Sequence, residues 1–183
     1  MMMYKTYITP CGNFSYNLPV NKSFFLPPDV SGVFYFTYQK QYQAMETHNI
    51  ETKHIDGMAF STDLQGHEVV IDATIDHGGQ NLGPRPKHLL LTSLAGCTGM
   101  DVVSLLRKMR VAFSDFSVAV TGELTDEQPK YYHTIMLEYK IKLANQQDQP
   151  KVEKAITLSK DRYCGVSAML SKAAEIKYRI TYL

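Results

Sequence analysis

One stretch constrains the fold of this chain more than any other: "PRPKHLLLTSLAGCTGMDVVSLLRKMR", residues 84–110. Pro84 and Pro86 set up a helix start, because proline fits the first turn and not the interior. Leu90, Leu94, Thr98, Val102, Leu105 and Met109 form one stripe at helical spacing. Leu91, Ala95 and Leu106 widen it until almost the whole circumference is apolar. Arg107, Lys108 and Arg110 close the helix in agreement with its dipole. A helix apolar nearly all round is expected to be central and covered on both sides.

Strand-like runs flank it. "HIDGMAFSTDL" and "HEVVIDATI" read as a hairpin across Gln65-Gly66, with apolar positions at Ile55, Met58 and Phe60 and then Val69, Ile71 and Ala73. "DHGGQNLGPRP" is a loop by its Gly, Asn and Pro content. Beyond the helix, "DFSVAVTGEL" and "YYHTIMLEYKIKLA" are two further strands joined by "TDEQPK". Pro150 opens a second helix that runs to about Ser159; "DRYC" interrupts it, and "GVSAMLSKAAE" forms a short third. "EIKYRITYL" alternates Ile176, Tyr178, Ile180 and Tyr182 as a last strand. The order is β-β-α-β-β-α-α-β, an α+β class with antiparallel sheet. Neither GxxxxGK[ST] nor GxGxxG is present, so the common nucleotide cradles are not expected.

A net charge of +1 gives no pull toward nucleic acid or an anionic membrane. No apolar run approaches the roughly 20 residues needed to cross a bilayer. The first residues lack a secretory-signal pattern, and three cysteines are too few for a disulfide scaffold, so a cytoplasmic protein is expected. Composition changes sharply near Met45. Residues 1–44 hold 11 of the chain's 20 Phe and Tyr but only one acid, Asp29. They read as an atypical extension, either an ordered arm or translated upstream sequence with Met45 as the working start. The composition break favours the second reading. Residues 45–183 are the working domain.

Cys97 sits inside the long helix between Gly96 and Gly99, which cost about 1 kcal/mol each relative to alanine there. That cost suggests that another helix, a partner chain or a substrate comes close. Asp101 shares its helix face. A carboxylate in an apolar helix needs a partner, and its charge raises a nearby thiol's pKa unless cations outweigh it. Asp101 is therefore expected to organise a polar network more than to activate sulfur. Cys164, after Asp161-Arg162, falls near a helix N-terminus, where the dipole and Arg162 lower a thiol pKa. A packed core cysteine is the competing reading for each. The six histidines are scattered without HExxH, and the cysteines show no CxxC, so no metal site is expected.

Two motifs together, "GPRPKHLLLTSLAGCTGMDVVSLLRKMR" and "YCGVSAML", resemble the OsmC/Ohr family of thiol-dependent peroxide-handling proteins, in particular its OsmC-like redox protein subgroup. The resemblance spans roughly residues 50–183, including the order of elements. It implies an intertwined homodimer whose antiparallel sheets wrap around long central helices, with two sites at the subunit interface. The glycines would then let the helices and a peroxide approach the sulfur. Cys97 would be the peroxidatic nucleophile and Cys164 the resolving partner, passing through a sulfenic acid and a disulfide to an external dithiol reductant. No metal or organic cofactor is implied. The best understood members carry a glutamate about ten residues before the first cysteine, paired with an arginine from an early strand. Here those positions are Lys87 and His88, and neither early strand contains an arginine. Arg85, Lys87, His88 and Arg162 are the cations left as candidates to support the thiolate, with Asp101 as a further supporting residue.

The expected function is thus a cysteine-based peroxidase for small, organic hydroperoxides in the oxidative stress response. A non-enzymatic dimer that binds a small ligand, and a thiol redox sensor, are the alternatives.

Overall fold

The structure, a computed structural model, describes residues 46–183. The expected extension over 1–44, with Cys11, lies outside the described residues. Three strands come first: β1 (Thr52–Asp56), β2 (Ala59–Leu64) and β3 (His67–Ile71). The run read as one strand from His54 is a hairpin in itself, because Gly57 takes a positive φ of 54° and reverses the chain between β1 and β2. The Gln65-Gly66 turn forms as expected, with φ of 58° and 85°, and pairs Leu64 with His67. This meander is a separate antiparallel sheet, β1-β2-β3. Its apolar side chains Ile55, Met58 and Phe60 stay exposed, and Ala59 alone among its described hydrophobics is buried.

The loop that follows is organised by a residue that the sequence pattern does not single out. Asp72 is buried and accepts N–H bonds from Ala73 (2.7 Å), Gln80 (2.9 Å) and Leu82 (3.1 Å). Gly83 passes so near the Val70 carbonyl that a Cβ would collide with it. These contacts bring the chain back beside β3 and aim it into the long helix α1 (Pro86–Lys108), which has Pro86 in its first turn and Arg107 and Lys108 in its last.

β4 (Phe113–Leu124) and β5 (Tyr132–Leu143) form a long antiparallel hairpin. On β5, Ile135, Leu137, Tyr139, Ile141 and Leu143 are buried at every second residue, as a strand with one face on the core requires. They meet Leu94, Thr98, Val102 and Leu106 of α1 and Val152, Ala155 and Ile156 of α2 (Gln149–Leu158). A π-helical turn (Ser159–Tyr163) ends α2 where "DRYC" is expected to interrupt it, and α3 (Gly165–Leu170) follows, several residues shorter than its sequence pattern. The last strand, β6 (Glu175–Tyr182), joins β5 in parallel, giving the order β4-β5-β6. The second sheet is therefore mixed rather than antiparallel. The crossover through α2 and α3 returns the chain to the end from which β5 started, which only a parallel partner can use. The observed order is β-β-β-α-β-β-α-α-β, and His48–Leu183 form one compact unit.

Two expectations for α1 need correction. Its length and a mean hydropathy of 1.7 over 18 residues would allow it to cross a membrane, because Gly, Ser and Thr interrupt the apolar run without lowering the average much. Within this chain, however, its Leu94–Leu106 face is used to cover the β5 core. Nor is it covered on both sides: Met100 is 72% exposed and Leu90 47%. Gly96 faces open space apart from its own neighbour Met100, and Gly99 makes ordinary contacts with Val118 and Phe116. Among the described residues, nothing presses on either glycine.

Candidate functional site

Cys97 occupies the middle of α1, half-buried at the border of its core face. Cys164 is the N-cap of α3 and only 2% exposed. The π-turn brings them together. By adding a residue to the helical repeat it lets the Cys164 N–H reach back five residues to the Ser159 carbonyl (2.8 Å), and this swings the sulfur onto α1. The Cys164 and Cys97 Sγ atoms are 2.8 Å apart, both as free thiols. Cys164 Sγ also accepts the Ser167 N–H at 3.3 Å.

Asp101 lies one turn beyond Cys97, as the spacing predicts, and its polar network is present. Ser159 Oγ donates to Asp101 Oδ2 at 3.0 Å. Thr98 Oγ1 lies 3.0 Å from Ser159 Oγ and 2.6 Å from the Tyr139 hydroxyl. A hydroxyl has one proton to give, so once Ser159 donates to the carboxylate the order is fixed: Tyr139 donates to Thr98, and Thr98 to Ser159. Tyr139, Thr98 and Ser159 are all buried, and burial pushes the Tyr139 phenol up to about 12, keeping it a donor. Thr98 is visible in the sequence as a member of the helix stripe. Ser159 and Tyr139 have no local signal, because the elements that carry them meet only in the folded chain.

Burial pushes the Cys97 thiol above its ordinary value. The adjacent Cys164 thiol and the Asp101 charge add to this, against a lowering contribution from the Val166 backbone N–H. Three of the four candidate cations bond elsewhere. Arg85 and His88 bond to one another at 3.2 Å, and Lys87 donates to the Lys130 carbonyl at 3.0 Å. Arg162, in the π-turn, is exposed and makes no ion pair among the described residues.

A long helix on a three-stranded sheet, holding one thiol against a second at a helix N-cap, defines an α+β protein built around a non-local dithiol. The OsmC-like protein family matches residues 78–179. Protein YhfA of Escherichia coli (strain K12) is 31% identical over 127 residues, covering 69% of this chain and 91% of that protein. The crystal structure of an OsmC-like protein from Mycoplasma pneumoniae aligns with a TM-score of 0.65 at 17% identity, covering 75% of this chain and 98% of that one. The organic hydroperoxide resistance protein OsmC from Legionella pneumophila aligns with a TM-score of 0.56 at 13% identity, covering 76% and 99%. The chain belongs to the OsmC-like protein family, and its fold is the OsmC fold.

Proposed function

We propose that the chain reduces organic hydroperoxides through Cys97 and Cys164, as a homodimer in the reducing cytoplasm. The observation that carries this reading is the 2.8 Å separation of the two sulfurs. Cys97, the more accessible of the two, attacks the terminal peroxide oxygen as thiolate. The O–O bond breaks, the alcohol leaves with a proton, and Cys97 becomes a sulfenic acid. Cys164 sulfur then attacks Cys97 sulfur and displaces water, forming the disulfide. An external dithiol returns both thiols by exchange. The hydroperoxide role named for the Legionella protein agrees with this reading. No step calls for a metal or organic cofactor.

The homodimer is supported by what the described residues leave exposed. Ala95, Gly96, Gly99, Met100, Val103 and Phe116 line an open groove of about 660 Å³ along α1. Exposed Ile55, Met58 and Phe60 add a second apolar surface on the first sheet. A second copy would cover these faces and give Gly96 its reason.

The raised Cys97 thiol favours one other reading, a dimer that binds a small ligand without catalysis. Consumption of cumene hydroperoxide with a dithiol reductant separates the two. The peroxidase reading expects turnover that Cys97→Ser abolishes, together with a Cys97–Cys164 disulfide after mild peroxide. Turnover unaffected by Cys97→Ser overturns it, and absence of the disulfide leaves the ligand-binding dimer.

A further inference from the structure

The site holds a third group besides the two thiols. Cys97 Sγ, Cys164 Sγ and a carboxylate oxygen of Asp101 all lie within 4.8 Å of one another. We propose that these three side chains of the reduced protein bind one thiophilic divalent cation of the zinc class, and that its binding withdraws the dithiol from redox chemistry.

The donor set suits such an ion. Two thiolates and a carboxylate are zinc ligands, and three protein ligands leave the fourth tetrahedral position to water or a small anion. Two thiolates and a carboxylate bring three negative charges together, and a divalent cation cancels two of them. Both ligand types are already oriented from behind, as ligands of bound metals are. Ser159 holds the Asp101 carboxylate and is itself held by Thr98 and Tyr139, while the Ser167 N–H points at Cys164 Sγ. Zn–S bonds of about 2.3 Å place tetrahedral sulfurs about 3.8 Å apart. The pair must therefore open from 2.8 Å by roughly one ångström, a side-chain adjustment at Cys97. The half-buried position of Cys97 gives the ion its way in. Binding displaces the two thiol protons to solvent and transfers no electrons. Local spacing argues against a metal site, yet the ligands come from α1 and from the start of α3, so no contiguous motif records them.

The metal site rests on this geometry alone, whereas metal inhibition of peroxide turnover also needs the peroxide reading. The test is a Co²⁺ titration of reduced full-length protein carrying Cys11→Ser, so that only Cys97 and Cys164 can bind as thiolates. A sulfur-to-cobalt charge-transfer band that saturates at one equivalent and is displaced by Zn²⁺ is expected. Asp101→Asn should weaken binding by roughly tenfold or more, at least what ligand-orienting contacts alone command. Diamide should still form the Cys97–Cys164 disulfide in that variant, showing that the pair is intact. Absence of the band, or unchanged affinity in Asp101→Asn, overturns the site. Should Asp101→Asn unfold, the diamide-oxidised parent replaces it: it must bind no cobalt, and retained binding is equally fatal. A protein that binds cobalt through both thiols but turns over no peroxide keeps the metal site and counts against the peroxide reading instead.

Discussion

Cys97 and Cys164 are 67 residues apart in the chain and 2.8 Å apart in space. Their contact depends on one local irregularity, the π-turn that ends α2, and on one polar chain that ties this turn back to α1 through Ser159. The dithiol and the Tyr139–Thr98–Ser159–Asp101 network are thus parts of one junction.

The pH dependence of Cys97 follows from its burial. Its thiol lies above the ordinary 9.0, so the thiolate is scarce at neutral pH. Iodoacetamide should react with Cys97 faster as pH rises through and beyond 9.0, without levelling off near neutrality. Asp101→Asn removes one raising charge and should move the profile to lower pH. A plateau below pH 7 in the parent protein would contradict the burial argument.

Ser159→Ala should destabilise the chain by about 1–3 kcal/mol, because it leaves the buried Thr98 hydroxyl without its acceptor and Asp101 without its donor. Tyr139→Phe removes a hydroxyl at the far end of the network and should cost about 1 kcal/mol. Urea unfolding followed by circular dichroism measures both. A larger cost for Tyr139→Phe than for Ser159→Ala would mean that the hydroxyls do not act in the stated order.

Asp72 should make the loop before α1 acid-sensitive. The Leu82 N–H, with those of Gln80, Ala73 and Asn81, holds its carboxyl below the ordinary 3.8. A lowered folded value means that ionised Asp72 stabilises the native state above about pH 4, and that this contribution is lost as pH falls through the folded value. Asp72→Asn should therefore lower the urea midpoint at pH 7 and flatten its fall below pH 4. An unchanged acid limb in the variant would show that the loop is closed by other contacts.

Two substitutions on opposite faces of α1 should separate folding from assembly. Leu94→Ala hollows the core facing β5 and should cost about 2–5 kcal/mol. Met100→Lys, on the exposed face, should leave the urea midpoint of the monomer nearly unchanged but shift the mass in sedimentation from dimer to monomer. A Met100→Lys protein that stays dimeric would place the interface elsewhere.

Much of this architecture is legible in the chain before it folds. The 84–110 stretch is a helix because apolar residues recur at its period and proline and basic residues mark its two ends. The Gln65-Gly66 turn, the β4–β5 hairpin and the break at "DRYC" follow from turn chemistry and local pattern in the same way. Two features escaped, one local and one not. Gly57 splits one apparent strand into two because its positive φ has no signature apart from glycine itself. Asp72 reads as an ordinary strand-end acid until the backbone N–H groups of the following loop converge on it.

The sequence by itself determined the α+β class, the helix that carries Cys97, the shared face of Cys97 and Asp101, and the second motif around Cys164. All of these are encoded within one or two helical turns, where period and propensity act. Tertiary structure alone decided that β6 runs parallel to β5 and that Met100 and Leu90 of α1 are exposed. It also decided that Ser159 and Tyr139 serve Asp101, while Arg85, Lys87 and His88 bond elsewhere. Those outcomes depend on where a crossover returns and on which side chains meet across dozens of residues, and no local pattern of residue types records that distance.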